Sequence, residues 1–373
     1  MMIGKLNSIE LPPTDEYRRD YIVPPALRNS DTDHQYDFHT LIYDAFYIPS
    51  KRSICLICPK LLNFERLIRD GKFSADGKDL RVASIWHFKR YSQVWLRCGH
   101  KPTLLRFQHG AFDATIPVPQ EQWDLFRGLN CAVVLSKDNH LNWIKDWAEY
   151  HVRLHGLQSM LFFDNASTRY QPADILATLQ NVRGLQSVEV IPVPFRYGCM
   201  NYGEARFLQV SLLNIARLRF CSSAAAVLCT DVDELIKPVP QGGIFSATRR
   251  SPLGYQLFRG RWRHAQPLGG AGGITHAQHV YRTPDDRCKA TKYCIDPQGL
   301  CGFSHWDVHG AVRGFLKDFL TTSKIEYWHC RQLSTNWNEN RSGSRPDDLD
   351  LDPEAARVFG EIFVTERAGI SAI

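Results

Sequence analysis

The chain has 373 residues, of which 44% are hydrophobic and 23% are charged, a composition typical of a folded protein and not of a disordered one. The length predicts two or three domains. The net charge of +6 comes from Lys and Arg dispersed among Asp and Glu, so we expect no nucleic-acid partner; a weak attraction to anionic substrates or lipid head groups stays open.

Residues 1–35 are rich in Pro, Asp and Arg and are predicted to form a mobile or loosely docked arm. No stretch approaches the roughly 20 apolar residues of a transmembrane segment, and the first residues lack a signal-peptide core. We therefore expect a cytoplasmic protein, with a peripheral contact at the inner face of the membrane left open. The 11 scattered cysteines are interpreted as buried reduced thiols.

Between residues 36 and 125 short apolar runs are broken by Gly, Asp, Ser and Pro. The runs lie at Leu41 to Ile48, Ser53 to Cys58, Leu80 to Phe88, Val94 to Cys98 and Thr103 to Phe107. This pattern predicts a small β-rich, sandwich-like accessory domain.

Residues 126–345 alternate between buried strands and amphipathic helices. The predicted elements are a strand at 131–135, a helix from 141, a strand at 159–163, a helix from 172, a strand at 188–193, a helix over 205–215 and a strand at 225–229. Such alternation predicts an α/β fold, a Rossmann-like, mostly parallel sheet with helices on both faces, whose ligands collect at the carboxyl ends of the strands. Residues 346–373 are predicted to be a C-terminal tail.

The sharpest motif is Asp231-Val232-Asp233-Glu234, directly after the last buried strand. Carboxylates at i and i+2 at a strand end can converge on one divalent cation, which prefers oxygen ligands. The alternative is that Asp231 only caps the following turn. The position at the end of a strand in a nucleotide-binding type of sheet favours a metal site.

Two further strand ends are polar. Asp164 and Asn165 can hydrogen-bond a ribose or a base edge, or form a plain Asx-turn. Lys137 and Asp138 follow the first strand and face the same rim, although Asp138 can equally be the N-cap of the next helix. We expect both groups near the nucleoside.

Together these segments resemble glycosyltransferases of the GT-A class, in particular family 92 (the DUF23 group) and related bacterial family-2-like proteins. The resemblance covers about residues 130–341. Its motifs are Lys137-Asp138, Asp146-Trp147 with Tyr150-His151, Asp164-Asn165-Ala166-Ser167, Asp231 to Leu235, Lys289 and Lys292, and His329-Cys330-Arg331 with Ser334 and Trp337. Asn139, Asp146 and Cys330 depart from the family pattern, and Asn139 leaves the donor base open.

The resemblance implies a nucleoside-diphosphate sugar donor, often a UDP-sugar, bound through Mn²⁺ or Mg²⁺ on Asp231 and Asp233. A cation and basic side chains would stabilise the charge that develops on the leaving diphosphate. Lys289 and Lys292 could supply such charge, or lie on a solvated strand face. His329 is the candidate third metal ligand, in competition with a packed core role.

Inverting transfer also requires a carboxylate that accepts the proton of the acceptor hydroxyl. Downstream of the acidic motif we select Asp286 over Asp285 and Asp307. His305 and His309 are alternatives to His329 as metal ligands, although flanking glycines favour a loop or a strand there.

We therefore expect a metal-dependent transferase that acts on a glycan or glycolipid acceptor, with inversion. Two other functions stay open. A metal-dependent phosphohydrolase also uses acidic strand ends, but usually carries a nucleophilic Asp or a denser His/Asp cluster after the first strand. A non-catalytic carbohydrate-binding protein could share the fold.

Overall fold

The computed structural model describes residues 1–265, 273–311, 320–333 and 348–364. The chain divides into two compact units. The larger unit comprises Met1–Ile3, Phe126–Ile191 and Ser223–Ile373. The smaller unit comprises Gly4–Leu125 and Pro192–Ser222, so the chain leaves the larger unit twice, after Ile3 and after Ile191, and returns to it each time.

The strands are short and numerous, as expected from a chain that carries many β-branched and aromatic residues between turn residues. They are β1 Met2–Ile3, β2 Ile9–Glu10, β3 Thr40–Ile42, β4 Asp44–Ile48, β5 Ser53–Pro59, β6 Lys72–Ala75, β7 Lys78–His87, β8 Tyr91–Arg97, β9 Leu104–His109, β10 Phe112–Pro117, β11 Asn130–Ser136, β12 Ser159–Asp164, β13 Ser187–Pro192, β14 Ala226–Cys229, β15 Glu234–Ile236, β16 Tyr255–Arg263, β17 Tyr281–Arg282, β18 Arg287–Ile295, β19 Thr321–Cys330 and β20 Asp350–Leu351.

The α-helices of the described residues are α1 Thr32–Gln35, α2 Phe64–Asp70, α3 Leu141–His155, α4 Pro172–Gln180, α5 Phe207–Ile215, α6 Gly243–Arg250 and α7 Pro353–Phe359. Single π-helical turns follow α5 and α7, at Ala216–Phe220 and Gly360–Val364. Short 3₁₀ turns lie at Asp15–Tyr17, Pro25–Leu27, Pro49–Lys51, Trp123–Phe126, Gly203–Ala205 and His276–Gln278.

The larger unit is built on a nine-stranded, mostly parallel sheet with the order β1-β13-β12-β11-β14-β18-β16-β19-β15. Strand β11 pairs in parallel with both β12 and β14. Beyond β14 the sheet becomes mixed, because β18 runs antiparallel to β14 and to β16. The structure confirms every strand and helix that alternation predicts between residues 130 and 229, within one or two residues for the strands.

Helices α3, α4 and α6 contribute to one core with alternate residues of the sheet, such as Ala132 and Val134 on β11. Helix α5, which the sequence places in the same strand-helix alternation, belongs to the smaller unit. Every residue of α5 except Gln209 is buried. A helix that is apolar on all sides does not reveal by its pattern which sheet it packs against.

The smaller unit contains one seven-stranded antiparallel sheet, ordered β10-β9-β6-β7-β8-β5-β4, in place of the expected sandwich. Alternate residues of β5, such as Ile54 and Leu56, enter its core, while α5 packs against β5 and β8. Within residues 1–35, predicted to form a mobile or loosely docked arm, several residues make defined contacts. Strand β2 pairs with β3, and the buried Arg19 guanidinium donates to the carbonyl oxygens of Asp37 and Thr40.

Residues 348–364, which belong to the predicted C-terminal tail over 346–373, contain a strand and a helix; the remaining residues of that tail lie outside the described ranges. Strand β20 pairs with β17, and Asp352 caps α7 by accepting hydrogen bonds from the amides of Glu354 and Ala355. The Asp352 carboxylate also pairs with the buried Arg263 guanidinium. In the sequence, such a charged cap is recognisable only as a polar residue that precedes a proline. No described helix has both the length and the apolar character that crossing a membrane requires.

Candidate metal and donor site

The acidic motif lies at the carboxyl end of β14, where the sheet changes from parallel to mixed. Glu234 opens strand β15, which pairs antiparallel with β19 and places Glu234 directly opposite His329. The amide of Cys330 donates to the carbonyl oxygen of Asp233 at 2.8 Å. This pairing fixes Asp233 and Glu234 beside His329 although about 95 residues of chain separate them.

Asp233, Glu234 and His329 form a buried cluster. One ligand atom from each lies within 4.8 Å of the other two. His329 Nε2 is 3.1 Å from Asp233 Oδ2, and its Nδ1 is 3.8 Å from Glu234 Oε1. Two carboxylates and one imidazole at this spacing can bind one divalent cation. The structure therefore brings together two of the three predicted ligands and adds Glu234.

Asp231, the third predicted ligand, lies beside a buried lysine. Lys292 Nζ is 2.5 Å from Asp231 Oδ2 and 3.0 Å from Glu234 Oε2. The Lys292 side chain is 3% exposed and that of Asp231 is 34% exposed. Lys292 thus holds a carboxylate of the buried cluster and one at its solvent side with the same ammonium group.

The pKa values of the cluster reflect its charges. Burial alone would lower the pKa of His329, but the Asp233 carboxylate raises it to about 10. Burial raises the pKa of Glu234 to about 6, against the opposing effect of Lys292. Burial would lower the pKa of Lys292, but Asp231 and Glu234 raise it above its ordinary value. The positive charges of Lys292 and His329 therefore lie against the carboxylates of the motif.

Side chains of helix α3 form hydrogen bonds with the backbone of strand β15. Strand β15 is at the edge of the sheet, and side chains satisfy its outer backbone groups. The Trp147 indole donates to the carbonyl oxygen of Glu234, and the Tyr150 hydroxyl donates to that of Ile236, at 2.8 and 2.7 Å. Nε2 of His151 accepts from the amide of Ile236 at 3.4 Å. Trp147, Tyr150 and His151 of the two predicted motifs therefore hold strand β15, which begins at Glu234.

We expect Trp147→Phe to lower the free energy of unfolding by about 1–3 kcal/mol, because the buried carbonyl oxygen of Glu234 loses its donor. The Mn²⁺ affinity should fall several-fold, as the ligand strand loses its support. Urea unfolding and Mn²⁺ titration measure the two effects. Trp123→Phe is the matched control, since Trp123 makes the same bond to Leu218 in the smaller unit; it should lower stability only. Equal Mn²⁺ affinity in both variants would contradict the positioning role.

His155 is a second support of β15 and is neutral in the folded protein. Its Nε2 faces the carbonyl oxygen of Ile236 at 3.0 Å, and its Nδ1 accepts from the amide of Ile244 at 3.3 Å. One donor and one acceptor correspond to an uncharged imidazole. Burial lowers the pKa of His155 to about 4.

A depressed histidine pKa makes stability fall in acid. Above about pH 6.5 the His155 imidazole is neutral in both states, whereas between pH 6.5 and 4 only the unfolded chain takes up the proton. We expect this residue to remove about 3 kcal/mol of stability over that range. His155→Gln should flatten the decline measured by urea unfolding at several pH values, and His34→Gln, at an exposed site, should not. Parallel curves for all three proteins would refute the assignment.

The other polar strand ends form a second hydrogen-bonded group. Asp164 ends β12 directly opposite Ser136 of β11, and its Oδ1 accepts from the hydroxyl of Ser167 at 2.5 Å. The Asp138 carboxylate accepts from the amides of Thr168 and Arg169 at 2.6 and 3.1 Å. Asp138 therefore caps the turn after β12, and not the helix that follows it as the alternative interpretation held.

This second group lies, like the acidic cluster, at the carboxyl ends of the parallel strands. Strands β12 and β14 are both neighbours of β11, so their ends are two strand spacings apart, about 10 Å. Asn165 is buried beside Asp164, whereas Lys137 is exposed. Burial raises the pKa of Asp164, and Lys137 is among the groups that oppose this.

Asp286, the predicted catalytic base, lies in a buried ion pair with two arginines. Its Oδ1 accepts from Arg261 at 3.0 Å and its Oδ2 accepts from Arg263 at 2.8 Å, and the residue is 6% exposed. Each oxygen of the carboxylate is therefore engaged by a guanidinium group. The structure thus places Asp286 in an ion pair, and its role as the catalytic base stays a prediction.

Lys289 and Lys292 lie in different environments in the structure. The register of β16 against β18 shifts so that Arg259 pairs with Thr291 and Gly260 pairs with Cys288. Lys289 is left exposed in this irregularity, while Lys292 is buried in the cluster. His309 is exposed, with its Nδ1 3.1 Å from the carbonyl oxygen of Thr291. The described residues place neither His305 nor His309 in a metal cluster, and Ser334 and Trp337 lie outside them.

Glu234 of the cluster and its neighbour Cys288 were not selected from the sequence. Glu234 was noted only as part of the motif. Its position directly after the acidic pair at i and i+2 was the signal that could have indicated a further ligand. Cys288 Sγ is 3.6 Å from His329 Nδ1, and the Trp262 ring stacks on that of His329 at 4.1 Å. Burial would raise the pKa of Cys288, but His329 lowers it overall. These contacts cross between strands far apart in sequence.

Solved structures that the chain resembles are glycosyltransferases. GalNAc-T7, solved with UDP, GalNAc and Mn²⁺, has 10% identity and a TM-score of 0.34 over 55% of this chain and 44% of its own. TarS from S. aureus has 13% identity and a TM-score of 0.27 for its residues 1–349, over 45% of this chain and 47% of that one. A longer TarS structure gives 14% identity, a TM-score of 0.25 and coverages of 39% and 23%. The chain spans less than half the length of each.

No protein-family model matches the sequence, and no curated protein matches it.

Proposed function

We propose that this chain is a metal-dependent glycosyltransferase that moves a sugar from a UDP-sugar to a glycan or glycolipid acceptor, with inversion. One observation carries the proposal. Ligand atoms of Asp233, Glu234 and His329 lie within 4.8 Å of one another at the carboxyl edge of parallel strands, where α/β sheets bind their ligands.

The ligand set favours Mn²⁺ over Mg²⁺, because an imidazole joins the two carboxylates and Mg²⁺ prefers oxygen ligands. When bound, the cation would neutralise the charge that develops on a departing diphosphate. Lys292 would hold Asp231 and Glu234 in place for it, through the two contacts described above.

The donor's nucleoside would lie along the same edge. Asp164 and Asn165 end the neighbouring strand, and Lys137 and Asp138 belong to the loop beside them. Asp164 and Asp138 are already oriented by hydrogen bonds within the turn, which lowers the entropic cost of contacting a ribose or a base. In this proposal exposed Lys289 contributes charge to the diphosphate side.

The test is incubation with UDP-sugars, with and without Mn²⁺, while UDP and inorganic phosphate are measured separately. We expect Mn²⁺-dependent binding of a UDP-sugar, seen as a rise in apparent melting temperature, and slow release of UDP. Release of phosphate would support a phosphohydrolase in its place. Absent or metal-independent UDP binding in calorimetry would support a non-catalytic carbohydrate-binding protein.

A further inference from the structure

The smaller unit presents an aromatic and basic surface that its fold does not explain. We call Lys51, Arg81, Trp86, Trp95 and Arg97 the basic aromatic face. Strands β7 and β8 are paired so that Arg81 is opposite Arg97 and Trp86 is opposite Gln93. Residues opposite each other, and residues two apart on one strand, lie on the same side of a sheet. The two arginines and the two tryptophans therefore share one side.

The tryptophans form an angled pair at the surface. Trp86 is 53% exposed, whereas Trp95 is 7% exposed. Their ring centroids are 6.4 Å apart and their planes are inclined by 56°. Lys51 Nζ lies 4.6 Å from the centroid of the Trp95 ring, and the buried Trp95 indole N–H has no hydrogen-bond partner among the described residues. An exposed indole backed by a second indole and a cation is a rigid platform for a flat apolar surface.

The positive charges of this face make no ion pair with the residues that the structure describes. Arg81 and Arg97 are both exposed, and like charges directly opposite each other weaken a sheet. In the described part of the chain neither guanidinium makes an ion pair. Asp79, the acidic residue of β7 and β8, is two residues from Arg81 and so lies on the same side of the sheet. It is opposite Ser74 of β6, and it makes no ion pair with Arg81 or Arg97 in the described structure. Arg81 and Arg97 are opposite each other although their repulsion destabilises the sheet, and this arrangement indicates that they bind an anionic partner.

The rest of this sheet side is covered by the unit itself. Helix α5 packs on β5 and β8, and Cys55, Tyr91 and Gln93 are buried. The end that carries Arg81, Trp86 and Arg97 is open. Core packing therefore accounts for the covered end and leaves the open end without a structural purpose.

We propose that the basic aromatic face binds an anionic glycan, with a sugar ring packed on Trp86 and acidic groups of the chain paired with Arg81, Arg97 and Lys51. Aromatic faces suit the apolar side of a sugar ring. Single-stranded nucleic acid uses related chemistry, but it is usually tracked by several stacking aromatics along a groove; here one exposed ring is surrounded by cations. The choice of a glycan rests in part on the proposed transferase function.

The test is native affinity electrophoresis of the full chain with polygalacturonate, neutral dextran or oligo(dT) in the gel. We expect retardation by polygalacturonate that weakens with salt. Trp86→Ala should weaken it about tenfold, and the Arg81→Gln/Arg97→Gln pair by a similar factor of about ten at low ionic strength. Leu104→Ala and Arg66→Gln, at exposed sites of the same unit, are the matched controls and should not change it.

The outcomes separate the possibilities. Equal losses in Arg66→Gln would mean that net charge alone causes the retardation, and stronger retardation by oligo(dT) would identify a nucleic-acid surface; either overturns the proposal, as does no retardation by polygalacturonate. Asp233→Asn should bind polygalacturonate like the unaltered chain, because the face uses no residue of the metal cluster. Loss of the transferase function would therefore leave this result intact.

Discussion

Asp233→Asn is expected to lower transferase activity by about 1000-fold. The change is nearly isosteric, but it replaces a charged ligand that is 3.1 Å from His329 Nε2 with a neutral amide. A cation that stabilises a departing diphosphate contributes several kcal/mol to the transition state, and each 1.4 kcal/mol is a factor of ten in rate. UDP release from the donor identified by thermal shift, at saturating Mn²⁺, is the measurement.

The control for this variant is Asp350→Asn, which makes the same chemical change at an exposed position of β20. It should keep full activity. Mn²⁺ binding measured by electron paramagnetic resonance provides an independent readout, and it should weaken in Asp233→Asn only. An active Asp233→Asn enzyme with unchanged Mn²⁺ affinity would exclude the metal cluster as the source of catalysis.

Lys292→Met is expected to lower the free energy of unfolding of the metal-free protein by about 3 kcal/mol. The variant keeps most of the side-chain volume but leaves the buried Glu234 carboxylate without its ammonium partner, and breaking one half of a buried ion pair costs several kcal/mol. Mn²⁺ should restore part of the loss, because a cation can take over the missing positive charge. The rise in melting temperature on adding Mn²⁺ should therefore be larger in Lys292→Met than in the unaltered chain.

Lys289→Met is the control for this experiment. It removes a lysine from the same strand, but one that is exposed, so stability should change by less than about 0.5 kcal/mol. If Lys292→Met is no less stable than Lys289→Met without metal, Lys292 does not balance the charge of the cluster.

Local sequence patterns predict the parallel half of the sheet because each of its elements carries its own signal. Strands β11, β12 and β14 are continuous apolar runs, and α3 has apolar residues at helical spacing. The polar residues after such strands must share one edge, which is why Asp164 and Asp231 could be selected together.

Other features depend on pairing between distant segments and carry no local signal. The burial of Lys292 follows from the irregular register of β16 and β18, which the strand pattern does not reveal. Asp286 looked like any other downstream acid until Arg261 and Arg263 were placed on both of its oxygens. Glu234 gained its role only when β19 brought His329 opposite it.

The excursion of residues 192–222 into the smaller unit bears on how this protein can be shortened. A gene cut at residue 126 would keep α5 but delete strands β5 and β8, against which it packs. Phe207, Leu208 and Leu212 would then meet water, and such a surface drives precipitation. A shortened chain would instead need a second excision, with Ile191 joined to Ser223 through a linker that spans at least the three strand spacings between β13 and β14, about 14 Å.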